Sequence, residues 1–102
     1  PAQPTFPLEQ VQELVRRRAF IVTTTALAIA GAVGFDADDI VACLLALTPA
    51  DFDKPISSTD RPGELLDVYR PVFRGRRLYV KLKVTSKTVL TDLLVVLSFN
   101  LK

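Results

Sequence analysis

Apolar residues recur at helical spacing in the first half of the chain and at strand spacing in the second. Leu8, Val11, Leu14 and Val15 share one helical face while Glu9, Gln12, Glu13 and Arg16 lie outside it, which predicts an amphipathic helix over Leu8–Arg17. Its closing run Arg16-Arg17-Arg18 suits the negative end of the helix dipole. Ala19 to Val22 reads as a short strand, and Thr23-Thr24-Thr25 offers N-caps for a second helix over Thr24–Val33, stopped by Gly34. Asp36, Asp38 and Asp39 precede a third helix over Ala37–Leu47, with Ile40, Val41, Leu44, Leu45 and Leu47 inward. Carboxylates at a helix start complement its dipole and need no metal ion to explain them. Before Leu8, residues 1–7 hold three prolines and no charge, so they are expected to form an extended arm with little structure of its own.

Beyond Thr48-Pro49 the period shortens. Ile56 to Gly63 is polar, with Pro55 just before it and Pro62 near its end, a surface loop by composition. Leu65–Tyr69 reads as a strand, Arg74-Gly75-Arg76 as a turn, and Leu78–Thr85 and Leu93–Leu101 as two further strands joined by a loop over Ser86–Asp92. Strict alternation assigns Leu78, Val80, Leu82 and Val84 to one face, with Tyr79, Lys81 and Lys83 opposite. The same rule groups Leu93, Val95, Leu97, Phe99 and Leu101. Val80, Leu82, Val95 and Leu97 are therefore expected to face the helices. Three helices before an antiparallel sheet make an α+β two-layer domain. Residues 8–102 form that single domain, preceded by the arm at 1–7.

Composition narrows the chemistry. The chain has 102 residues, one cysteine and no histidine. That excludes an internal disulfide, histidine-based triads, most zinc sites and a histidine pair for ribonuclease chemistry. One cysteine and no signal-peptide pattern make a reducing, cytoplasmic setting the expectation. Cys43 falls in an apolar helix and reads as a packed thiol. Ala19 to Phe35 carries no charge, yet it is shorter than the roughly 20 apolar residues of a membrane span, so a buried strand and helix are expected there.

Charge is divided unevenly. Residues 1–67 carry a net −5, whereas residues 68–102 carry +7, with Asp92 the only acid among Arg70, Arg74, Arg76, Arg77, Lys81, Lys83, Lys87 and Lys102. Such a field attracts phosphate and can hold a polyanion by counterion release. A solvated face that keeps the protein soluble is the competing explanation.

Four segments in order, Asp51-Phe52-Asp53-Lys54, Asp67-Val68-Tyr69-Arg70-Pro71, Leu78-Tyr79-Val80-Lys81 and Val96-Leu97-Ser98-Phe99, resemble the toxins of the motility quorum-sensing regulator (MqsR) family. The similarity runs from about Leu8 to Phe99. It implies a RelE-like fold and a metal-independent messenger-RNA endonuclease held inactive by a cognate antitoxin. It implies no cofactor, no membrane and no DNA binding by this chain alone.

By the same resemblance Lys54 and Tyr79 fall on catalytic positions. Leu66 occupies the place of a family Gln, and Asn100 that of a family Lys; Lys102, two residues on, shares its strand face and can supply an ammonium. Arg70, Lys81, Lys83 and Lys102 are the candidate RNA phosphate ligands, Arg70 being able to grip two oxygens at once. The departures at Leu66 and Asn100 keep a second reading open: a weak or inactive relative that binds RNA or its antitoxin.

Overall fold

A computed structural model describes residues 2–88 and 91–102. Helices α1 (Leu8–Arg16), α2 (Thr24–Ala32) and α3 (Ala37–Ala46) alternate with, and then give way to, strands β1 (Phe20–Val22), β2 (Phe52–Ser57), β3 (Leu65–Tyr69), β4 (Val72–Phe73), β5 (Arg76–Thr88) and β6 (Thr91–Leu101). One turn of 3₁₀ helix, Pro49–Asp51, links α3 to β2. The sheet order is β1-β6-β5-β3-β2, with β4 paired to β5. Helices on one side of this sheet give the α+β two-layer arrangement that the periodicity predicts.

The helix ends follow from local chemistry. Thr23 Oγ1 accepts from the Ala26 amide at the start of α2. Asp36 and Asp39 exchange side-chain and backbone bonds in a capping box at the start of α3. That amide bond, followed by the guanidinium of Arg74, holds the Asp39 carboxyl below its ordinary pKa. Arg74 forms an ion pair with Asp39 and its guanidinium lies 4.7 Å from the centre of the Phe73 ring. Arg74 and Gly75 both have positive φ, 51° and 77°, and Phe73 pairs with Arg76. A two-residue hairpin with that backbone matches strand twist.

Several expectations change. The sheet is mixed rather than wholly antiparallel, because β1 runs parallel to β6. Ile56 and Ser57 belong to β2, opposite Leu66 and Leu65, and not to a loop. Strands β5 and β6 continue through most of the expected Ser86–Asp92 loop, pairing Ser86 with Asp92 and Thr88 with Thr91; positions 89 and 90 lie outside the described residues.

The core-facing register of β6 also differs. Leu82 pairs with Val96 but Lys81 pairs with Ser98, so Leu97 is an extra residue in β6, a β-bulge. Before the bulge Leu94 and Val96 enter the core, and after it Phe99 does, all three fully buried. Val95 pairs with Lys83 and so faces away from the helices, as a one-residue slip requires. The expected inward positions Val80 and Leu82 hold, whereas Val95 and Leu97 do not.

The core joins Val11, Leu14 and Val15 of α1, Ile40, Cys43 and Leu44 of α3, and Tyr69, Leu78, Val80, Leu82, Leu94, Val96 and Phe99 of the sheet. Burial raises the Cys43 thiol pKa to about 12, with the nearby Asp51 charge adding to the shift. The expected burial of α2 is only partial. Ala26 and Ala30 are buried, one turn apart, but Leu27 and Ile29 are exposed. Small residues make the contact, and the larger apolar ones flank it. No helix among the described residues is long and apolar enough to cross a membrane.

The arm is tied down. Asp67 in β3 is fully buried, and its two carboxylate oxygens accept from the amides of Thr5 and Phe6, each at 2.9 Å. Phe6 packs against the core. Nothing in residues 1–7 alone announces this, since the acceptor is about sixty positions away in the chain.

Candidate active site

The face of the sheet opposite the main core collects the basic residues, and strand geometry explains how each arrives there. Phe52 and Lys54 are two apart and would share a face in a regular strand. In β2, however, Phe52 pairs with Tyr69 while Lys54 pairs with Val68, with the register shifting between them. Asp53 is the inserted residue. Phe52 therefore packs edge-on against the Tyr69 ring at 5.4 Å, and Lys54 turns to the opposite face. Bulges often re-aim a side chain beside a functional site in this way.

Val68 pairs with Lys54 on one side and with Lys81 on the other, and Lys81 pairs in turn with Ser98. Lys54, Val68, Lys81 and Ser98 thus form one row across four strands. The two lysines sit two strands apart, about 10 Å at the backbone, with the fully buried Val68 as the floor between them. Neither lysine makes an ion pair among the described residues. One step along β5, Tyr79 pairs with Asn100 and is half-buried. Lys102 Nζ stands 5.6 Å from the centre of the Tyr79 ring, within cation–π range. The Lys102 amide donates to the Arg77 carbonyl at 2.9 Å, so the backbone pairing reaches that far.

Arg70 leaves the end of β3 on this side, its amide bonded to the Asp51 carbonyl at 2.8 Å. Its guanidinium lies 3.7 Å from the Asp53 carboxylate. Lys83 shares the face but is committed elsewhere, donating to Glu64 at 2.7 Å. Lys54, Tyr79, Arg70, Lys81 and Lys102 are therefore brought onto one surface, and Lys83 stands at its margin with its charge already paired. Tyr69, by contrast, is fully buried. Burial first, then the charges of Asp67 and Asp51, push its phenol pKa up to about 12, and it contributes to packing.

Leu66 faces the same side as Lys54 and Lys81, opposite Ile56, and is almost fully buried. It supplies no hydrogen-bonding group. Asn100 supplies an amide beside Tyr79. Strict alternation from Tyr79 also places Arg77 here, a residue that charge counting alone does not separate from its neighbours. A concavity of about 710 Å³ lies elsewhere, lined by Pro4, Pro7, Leu8, Gln12, Leu47 and Phe52 among others. No cation lines it among the described residues, so it does not suit a phosphate ligand.

A cationic sheet face carrying Lys54 and Tyr79 can be compared with known families. The family model described as "Motility quorum-sensing regulator, toxin of MqsA" matches residues 3–100. The chain belongs to this family of toxins. No curated protein matches the chain. As a member of the MqsR toxin family, the chain is the toxin of a toxin–antitoxin system, and its partner is an antitoxin. The match takes in the insertions at Asp53 and Leu97, and it includes every candidate site residue except Lys102.

Proposed function

We propose that this toxin is an endoribonuclease that cleaves messenger RNA on the sheet face bearing Lys54 and Tyr79. The observation that carries the reading is the row Lys54–Val68–Lys81, two ammonium groups without an ion pair among the described residues flanking an apolar floor, with a phenol one step along the strand. Cleavage within RNA requires a 2′-hydroxyl to attack the adjacent phosphorus, a group to take its proton, charges to stabilise the phosphorane and a proton for the departing 5′-oxygen. In this scheme the 2′-oxygen to phosphorus bond forms and the phosphorus to 5′-oxygen bond breaks. Lys54 carries proton transfer, Tyr79 orients the hydroxyl or donates, and Arg70, Lys81 and Lys102 neutralise the phosphorane. The products are a 2′,3′-cyclic phosphate and a 5′-hydroxyl. Every group used belongs to this chain, and the reaction so written calls for no metal and no cofactor. Lys83 adds to the field more weakly, because Glu64 already pairs it.

The test is digestion of one defined RNA with end mapping, at saturating substrate, with melting temperature measured alongside. Lys54→Ala is expected to lower the cleavage rate by about 100-fold or more, as for loss of a general acid or base. Its exposure leaves the fold intact. Lys87→Ala, near the far end of β5, is expected to cleave normally. Wild-type turnover by a folded Lys54→Ala/Tyr79→Phe double variant removes the assignment.

The buried, apolar Leu66 favours one alternative, a relative that binds RNA or its antitoxin without turnover. Under that reading the wild-type protein leaves the RNA intact, yet still binds it with salt-dependent affinity.

A further inference from the structure

Beside the Tyr79 ring the sheet surface sinks into a depression of about 370 Å³ lined by Arg70, Val72, Arg77, Leu78 and Lys102. Three of these five carry positive charge, and among the described residues the only carboxylate in ion-pair reach of any of them is Asp53, 3.7 Å from Arg70. Arg77 has no ion pair among the described residues. It is held in place by its backbone, paired with Val72 on one side and accepting the Lys102 amide on the other. Period-2 alternation sets Arg77, Tyr79 and Lys81 on one face at a stride of about 7 Å. That stride is comparable to the spacing of successive phosphates along an extended single strand.

We infer that Arg77 forms a subsite for the phosphodiester next along the RNA from the one that Lys54, Tyr79, Arg70, Lys81 and Lys102 hold, with Arg70 and Lys102 standing between the two positions. The inference rests on the reading of this face as RNA-cleaving and adds a second phosphate position to it. The guanidinium grips non-bridging oxygens bidentately, which an ammonium cannot do. Val72, 67% exposed beside it, gives the intervening ribose an apolar contact. The subsite positions the strand and takes no part in proton transfer.

Two measurements on the full chain decide it. The first is binding of a 2′-O-methyl oligonucleotide, which lacks the nucleophile and stays intact, as a function of salt. Arg77→Ala is expected to reduce the slope of log affinity against log salt by about 0.7, the increment for one phosphate contact on a single strand. Arg77→Lys should keep the wild-type slope. Arg76→Ala removes the same charge from the adjacent, oppositely facing position and should also leave the slope unchanged. The second is cleavage. Arg77→Ala should lower kcat/KM about tenfold on an RNA of several nucleotides, and leave it unchanged on a dinucleoside monophosphate, which has only the scissile phosphate.

An unchanged slope for Arg77→Ala overturns the subsite. So does an equal loss on long and dinucleotide substrates, which would put Arg77 at the scissile phosphate itself. If the wild-type protein cleaves neither substrate, the ribonuclease reading falls, and the slope of the intact oligonucleotide still decides whether Arg77 binds a phosphate.

Discussion

Lys83 and Lys81 project from the same face of β5, yet Lys83 Nζ lies 2.7 Å from Glu64 Oε1 while Lys81 makes no ion pair among the described residues. An ammonium already paired in a half-buried position gains less from a phosphate than an unpaired one, since the new contact must compete with the carboxylate. Lys81→Ala is therefore expected to weaken RNA binding and lower its salt slope by about 0.7, with Lys83→Ala changing the slope by clearly less. The measurement is affinity against salt for each variant on one oligonucleotide. Glu64→Gln should strengthen binding, because it frees the Lys83 charge. Equal slopes for the two lysine variants would show that Glu64 does not restrain Lys83.

The helices and the cationic face were legible because each depends on spacing that survives in the sequence. Leu8, Val11, Leu14 and Val15 repeat at helical period, and Tyr79, Lys81 and Lys83 alternate without interruption. What alternation does not reveal is a bulge. Asp53 and Leu97 each insert one residue into a ladder; Leu97 is an ordinary strand residue, and Asp53, though Asp is depleted in strands, does not by itself specify an insertion. Lys54 reaches the candidate site through the first insertion. Its role is therefore legible in the resemblance to a family, and not in the period. The second insertion exchanges the inner and outer sets of β6 before Leu97, where Leu93 to Leu97 is apolar on both faces and hydrophobicity offers no arbiter. The parallel edge strand β1 and the bond from Asp67 to the arm join residues far apart in the chain, so local pattern carries no trace of them.

That exchange of faces can be measured. Leu94 is fully buried in the core, whereas Leu93 pairs with Thr85 and is half-buried. Leu94→Ala should cost about 2–5 kcal/mol, as for a core leucine, and Leu93→Ala about 1 kcal/mol or less. Denaturant unfolding of the two variants reads the difference directly. The reverse order of losses would restore the register that uninterrupted alternation predicts.

Asp67 fastens the arm through two backbone amides, and no other side chain shares its carboxylate among the hydrogen bonds of the described residues. Removing the acceptor leaves the Thr5 and Phe6 amides to find water, which they do by releasing the arm from β3. Asp67→Ala is expected to destabilise the fold by about 1–3 kcal/mol and to make residues 2–7 susceptible to limited proteolysis. Asp67→Asn keeps one acceptor oxygen and should fall between. An Asp67→Ala variant with an arm as protected as the wild type would show that Phe6 packing alone holds it.

Alkaline stability follows from two buried acids. Cys43 is raised from 9.0 to about 12 and Tyr69 from 10.0 to about 12, both chiefly by burial. Between the unfolded and folded values the unfolded chain has lost a proton that the folded chain keeps. The unfolded state then binds fewer protons, so stability falls as pH rises. The contribution is fully present below pH 9, and the loss begins there with Cys43, at about 1.4 kcal/mol per pH unit. Above pH 10 Tyr69 joins it, and the decline steepens towards pH 12. The Tyr69 hydroxyl is buried without a hydrogen-bond partner among the described residues, so Tyr69→Phe should leave stability at pH 7 unchanged or raise it by about 1 kcal/mol. It should also remove the steepening above pH 10, while Cys43→Ala should remove the earlier decline at a small packing cost. Chemical denaturation at pH 7, 9, 10 and 11 for the three proteins tests each step. A Tyr69→Phe variant whose stability still steepens above pH 10 would assign that loss to another group.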